Sequence, residues 1–209
     1  MFITLEGPEG SGKTSHLQPL AEWLRGEGHR VFTTREPGGT PIGEQIRAVL
    51  HNLQNTEMHP RTETLLYQAA RAQFVEQVVK PRLMAGEIVI SDRYADSTLA
   101  YQGYGHQQDL EQVRALIHYA TGGLIPDLTI LLDLDVEVGL QRSARRRAQG
   151  GEWNRLDAFD LAFHQRVRAG YLEMAKREPQ RWKVIDAAQE WEKVQENLRV
   201  VLAECLSRR

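Results

Sequence analysis

The 209 residues carry 26 Lys plus Arg against 28 Asp plus Glu, a formal charge of -2, which excludes the broad cationic field of a protein that binds polymeric nucleic acid. The only cysteine, Cys205, excludes an intrachain disulfide and suits a reducing compartment. No apolar run approaches membrane-spanning length, and Met1 runs into the first apolar stretch with no basic leader, so a cytoplasmic protein that does not enter membranes is expected.

The length suits one α/β domain spanning 1–209. Phe2 to Leu5 reads as a strand, and Lys13 to Gly28 as a helix with Leu17, Leu20, Ala21 and Leu24 at helical spacing. Val31 to Thr34 is a second strand, so a βαβ unit opens the chain. The breaker cluster Glu36-Pro37-Gly38-Gly39-Thr40-Pro41 is then a loop at that strand's carboxyl end, the edge of an open parallel sheet where ligands bind. Ile42 to Leu53 reads as helix, and Thr62 to Met84 as one long helix kinked by Pro81. Ile88 to Asp92 and Leu128 to Leu134 are too apolar to alternate, as central strands covered on both faces are. Lys183 to Asp186 is a shorter strand. Helices are expected over Leu110 to Tyr119, Val136 to Gln149, Ala158 to Arg177 and Trp191 to Leu206. About five strands alternating with helices predict a doubly wound parallel sheet with helices on both faces.

Between the first strand and first helix stands Gly7-Pro8-Glu9-Gly10-Ser11-Gly12-Lys13-Thr14, the G-x-x-x-x-G-K-[ST] pattern in the strand-to-helix context it requires. Its glycines let successive N–H groups turn inward, and the helix N-terminus adds partial positive charge, which together make a polyphosphate nest. Lys13 is expected on the β- and γ-phosphates of ATP and the Thr14 hydroxyl on Mg2+. Two acids end apolar strands, Asp92 and Asp133, and either could hold the Mg2+. Arg93 beside Asp92 favours the former, because a guanidinium at that edge can stabilise a transferring phosphoryl group. Arg35 enters the breaker loop from the same edge, with a fork suited to phosphate. Tyr67 and Arg71, four apart, share a helix face. Taken alone, an aromatic at that spacing is core more often than a base platform. Arg142, Arg145, Arg146, Arg147 and Arg155 flank Gln149-Gly150-Gly151, a composition that fits a small lid over roughly 142–156 closing cations on nucleotide phosphates.

Leu5-Glu6-Gly7, Thr34-Arg35-Glu36-Pro37-Gly38-Gly39-Thr40, Tyr67-Gln68-Ala69-Ala70-Arg71, Ser91-Asp92-Arg93-Tyr94, the segment from Ser97 to Gly103 and Pro126-Asp127-Leu128-Thr129 together resemble the thymidylate kinase family over essentially the full chain. The resemblance implies a P-loop fold and transfer of the ATP γ-phosphoryl group to dTMP, with Mg2+, in a homodimer. It implies Glu9 on the deoxyribose 3′-hydroxyl and Arg35 and Arg93 on the dTMP phosphate, Arg93 also approaching the γ-phosphate. Tyr67 would stack on thymine and Arg71 would bond its O4. Tyr101 would disfavour a ribose 2′-hydroxyl, with Ser97 and Gln102 near the base. The chain resembles the bacterial form, whose basic residues lie in the lid, so Arg155 and Arg147 are candidates for catalysis and Arg142 for ATP binding. The competing expectations are a UMP or CMP kinase on the same scaffold, or a P-loop switch ATPase.

Overall fold

The alternating apolar runs form five parallel strands in the computed structural model, which describes residues 1–150 and 155–207. They are β1 (Phe2–Glu6), β2 (Val31–Arg35), β3 (Ile88–Asp92), β4 (Leu128–Asp133) and β5 (Trp182–Asp186), in spatial order β2-β3-β1-β4-β5. Each lies within a residue of its expected bounds. The register pairs Asp92 with both Leu5 and Arg35, so the ends of β1, β2 and β3 meet at one edge.

The period of two along β1 divides the core. Ile3 and Leu5 face α1 (Lys13–Gly26) and α9 (Trp191–Ser207), packing with Leu17, Leu20, Leu24, Leu198 and Leu202. Phe2 faces the other way, against Phe74 and Tyr94. Glu6 falls on that same face, and its carboxyl is buried beneath the site rather than exposed above it. That layer carries α2 (Pro41–His51), α3 (Pro60–Phe74), α4 (Lys80–Met84), α5 (Ala95–Thr98), α6 (Leu110–Thr121) and α8 (Leu161–Arg177), with α7 (Val136–Ala148) packed on α8.

The long helix expected over Thr62 to Met84 changes character before its proline. A π-helical segment, Val75–Val79, separates α3 from α4. The Pro81 ring clashes with the carbonyl four residues back in a regular helix, and the wider turn lies where that clash would fall. A second π-helical segment, Leu99–Gly105, continues α5 and had no helical signal in the sequence, because Gly103 and Gly105 interrupt it. Both glycines are packing positions. A Cβ on Gly103 would meet Leu110 and one on Gly105 would meet Phe163 on α8.

Candidate active site

The P-loop, residues 7–14, curls between β1 and α1 as expected. Gly12 adopts φ 90° at the N-cap of α1, a left-handed conformation that turns the chain into the helix. Lys13 lies back along the loop, donating to the Gly7 and Pro8 carbonyls at 3.0 Å each and to Ser11 Oγ at 3.1 Å. Burial, with Arg93 nearby, lowers its pKa to about 8 against the pull of Glu9, Asp92 and Glu6. Gly10 packs against Gly139 on α7, backbone to backbone: a Cβ on Gly10 would run into the Gly139 carbonyl, and one on Gly139 into the Glu9 carbonyl. Only glycine permits that approach, and it brings the helix carrying Arg142 and Arg146 against the phosphate loop.

The two strand-end acids separate cleanly. Asp92 accepts the Thr14 hydroxyl at 2.6 Å and lines the cavity above the P-loop. Asp133 is instead held by Arg168 through two hydrogen bonds, 2.8 and 2.9 Å, and does not line it. Arg93, next in the chain, sits at φ 71°, a left-handed conformation that costs a non-glycine residue roughly 1–2 kcal/mol. Six contacts hold its guanidinium. Nη1 donates to the Gly7 carbonyl (3.1 Å), Ser97 Oγ (3.1 Å) and Tyr171 Oη (3.2 Å). Nη2 donates to both Glu9 carboxylate oxygens (3.2 and 3.1 Å) and to Tyr101 Oη (3.0 Å). Tyr101 in turn donates to Glu9 at 2.7 Å. Burial alone would raise the Glu9 pKa, but Arg93, Lys13 and that hydrogen bond bring it down to about 2.

A cavity of about 700 Å³ runs from the P-loop over this cluster toward α2 and α3, lined also by Arg35, Tyr67, Arg71, Ser97, Gln102 and Arg142. Tyr67 is almost fully buried and Arg71 fully so. The Arg71 donors are all engaged within the protein. Nε and Nη2 reach Glu36 Oε2 at 2.8 and 2.6 Å, Nη2 also reaches the Tyr94 carbonyl at 3.0 Å, and Nη1 reaches Gln68 and Thr98 at 3.1 and 2.8 Å. A ligand contact by Arg71 therefore has to share one of these hydrogens. Burial raises the Glu36 pKa, with Arg71 opposing. Gln102 lines the cavity while donating to Glu63 at 2.7 Å, and Ser97 is engaged below the floor with Arg93.

Arg35 is half-exposed at the rim, bonded to Glu44 (3.2 Å) and the Pro37 carbonyl (3.1 Å). Arg47 and His51, four apart on α2, line the same wall, as do Glu36 and Thr98; sequence reasoning missed all four. Spacing could have found Arg47 and His51, since they share one helix face. The arginines of the expected lid divide. Arg142 and Arg146 line the cavity, Arg142 also donating to the Ala187 carbonyl at 3.1 Å. Arg147 and Arg155 do not line it. Arg155 begins a short 3-10 turn, Arg155–Ala158, and is buried in an ion pair with Glu63, which also meets His106 at 3.1 Å. The Gly151-Glu152-Trp153 part of the expected lid lies outside the described residues.

Comparison with known proteins gives a consistent result. The family profile described as thymidylate kinase matches residues 5–198. A thymidylate kinase of Herpetosiphon aurantiacus is 49% identical over 219 residues, covering 95% of this chain and 93% of the relative. One of Deinococcus radiodurans is 54% identical over 187 residues, covering 90% and 88%. The crystal structure of thymidylate kinase from Ehrlichia chaffeensis superposes with a TM-score of 0.77 at 35% identity, covering 97% of this chain and 98% of that one. A P-loop fold, an arginine-rich cavity and this similarity along nearly its whole length agree: the chain belongs to the thymidylate kinase family.

Proposed function

We propose that this chain moves the γ-phosphoryl group of ATP onto a phosphate oxygen of dTMP, yielding ADP and dTDP for DNA synthesis. The observation that carries this reading is the position of Arg93, bonded to the P-loop through the Gly7 carbonyl and to Glu9 and Tyr101 on its other side. It stands between a polyphosphate nest and a cavity whose far end holds Tyr67, Arg71 and Thr98. A donor phosphate on one side and an acceptor nucleotide on the other would meet at one guanidinium. The UMP or CMP kinase and switch ATPase readings are not favoured.

The acceptor oxygen is already anionic, so no strong general base is needed, and positioning and charge do the chemistry. Lys13 leaves its loop carbonyls for the β- and γ-phosphates. Arg93 and Arg35 hold the dTMP phosphate, and Arg142 and Arg146 meet ATP from α7. Glu9 accepts the 3′-hydroxyl, Tyr67 stacks on thymine, and Tyr101 closes the space beside C2′. Thr14 and Asp92 bring two hard oxygens together at 2.6 Å, a pair that would suit Mg2+. When bound there, Mg2+ neutralises charge on the β- and γ-phosphates.

We further read the active form as a homodimer in the cytoplasm. Leu65 on α3 is 55% exposed, an apolar side chain that a partner subunit would cover. No described helix is long and apolar enough to cross a membrane. Phosphorus NMR of the chain with ATP, Mg2+ and dTMP tests the reaction itself. A dTDP β-phosphorus signal growing in step with ADP is expected, and inorganic phosphate growing in its place would contradict the transfer.

A further inference from the structure

Glu6, the last residue of β1, is fully buried and lies one layer beneath Arg93. We propose that Glu6 is the positioning residue for Arg93, acting through the hydroxyls of Ser97 and Tyr171. The inference rests on the kinase reading and adds to it a group that touches neither nucleotide.

Three donors converge on the Glu6 carboxyl. The Tyr94 N–H reaches Oε1 at 2.8 Å, and the Ser97 and Tyr171 hydroxyls reach Oε2 at 2.6 and 2.8 Å. Each hydroxyl has a single proton. The two hydroxyls also lie 2.8 Å from each other, so one proton can serve that contact while the other points at Glu6; either way lone pairs are left to face Arg93, and both hydroxyls accept from its Nη1 at 3.1 and 3.2 Å. Once ionised, above about pH 7, the Glu6 carboxyl therefore sets the polarity of the hydroxyl pair, and the hydroxyls fix one edge of the guanidinium. That leaves Glu9 and Tyr101 to fix the other edge. Arg93 is held from both sides at a backbone conformation that nothing in its own side chain favours.

An amide cannot replace this carboxylate. Glu6→Gln has one acceptor oxygen and an NH2 group, so either the Tyr94 N–H or the hydroxyl pair would face a donor. In the second case the hydroxyl protons turn toward Arg93 and oppose its charge. Ser97 thus belongs to the floor of the site as much as to the base pocket. Burial, and then the Asp96 carboxyl, raise the Glu6 pKa, while Arg93 and the two hydroxyls lower it, so all of these groups bear on the same carboxyl.

A double-mutant cycle tests the relay. kcat/KM for dTMP is measured at about pH 8, where Glu6 is ionised, for the wild-type chain, Glu6→Gln, Arg93→Ala and the double variant, with melting temperatures alongside. Glu6→Gln is expected to lose about 10- to 100-fold alone and less than about 3-fold once Arg93 is gone. A loss of the same size in both backgrounds would mean a structural role and overturn the proposal. Should Glu6→Gln not fold, Tyr171→Phe replaces it in the same cycle, with a smaller loss that vanishes in the Arg93→Ala background expected, and equal losses overturning. Wild-type turnover with additive losses would sink this inference alone, whereas a wild-type chain inactive on dTMP would sink the kinase reading and the inference together.

Discussion

Thr14 and Asp92 meet at 2.6 Å, tying the first turn of α1 to the end of β3 at the point where the sheet edge faces the P-loop. The bond places side by side the two oxygens proposed above to hold Mg2+. Asp92→Asn keeps the shape and removes the charge, so the Mg2+ concentration giving half-maximal turnover should rise by about 10-fold or more. A Mg2+ titration at saturating ATP reads this directly. An unchanged midpoint would move the metal away from Asp92.

Arg155 and Arg142 should separate by the kind of damage they cause. Arg155→Ala strips a buried partner from Glu63, leaving Gln102 and His106. Breaking such a pair costs about 3 kcal/mol, so a fall in melting temperature of roughly 6–12 °C is expected. Arg142→Ala should instead raise the KM for ATP with little change in melting temperature. If Arg155→Ala abolished kcat without destabilising the chain, Arg155 would have to leave Glu63 and act on the phosphates.

Glu6 and Glu9 make opposite contributions to stability as pH changes. Burial and then Asp96 raise Glu6 from 4.5 to about 7, with Arg93, Ser97 and Tyr171 opposing. The folded chain keeps a proton that the unfolded chain has released, so this group stabilises below pH 4.5 and loses that contribution as pH rises through about 7. The full effect is on the order of 3 kcal/mol. Glu9 runs the other way: held down at about 2, it stabilises above pH 4.5 and loses that contribution as pH falls through about 2. Denaturant unfolding from pH 4.5 to 8 should show a downward slope that Glu6→Gln flattens. Parallel profiles for the two proteins would contradict the assignment.

The parts legible in the sequence were those whose partners are near in the chain or whose chemistry is fixed by type. The P-loop, the five strands and the Asp92-Arg93 pair at a strand end are of this kind. The order of the strands, which puts Asp92 beside both Leu5 and Arg35, was not, because it depends on crossovers. Glu6 reads locally as the end of a strand, and only the fold brings it Tyr171 from 165 positions away. Arg71 and Arg155 show the same limit. The family resemblance implied ligand contacts for both, but not the carboxylates that hold them in the structure, Glu36 and Glu63, which are 35 and 92 positions distant. The π-helical segment Leu99–Gly105 escaped because its glycines look like breakers until Leu110 and Phe163 fill the space beside them.

The backbone contact between Gly139 and the P-loop makes a prediction of its own. Gly139→Ala puts a methyl group into the Glu9 carbonyl and must push α7 outward, carrying Arg142 and Arg146 with it. The KM for ATP should rise about 10-fold, by the loss of roughly 1.4 kcal/mol of binding, while the affinity for dTMP measured by calorimetry changes little. Equal weakening of both nucleotides would mean that the contact supports the whole site and not the ATP side alone.

The most direct test is ADP formation from Mg·ATP, measured without an acceptor and then with dTMP, dUMP, UMP, CMP and thymidine in parallel. Turnover that depends on the acceptor and is strongest with dTMP is the predicted result. Rapid ADP formation with no acceptor, or a preference for UMP or CMP over dTMP, would contradict it.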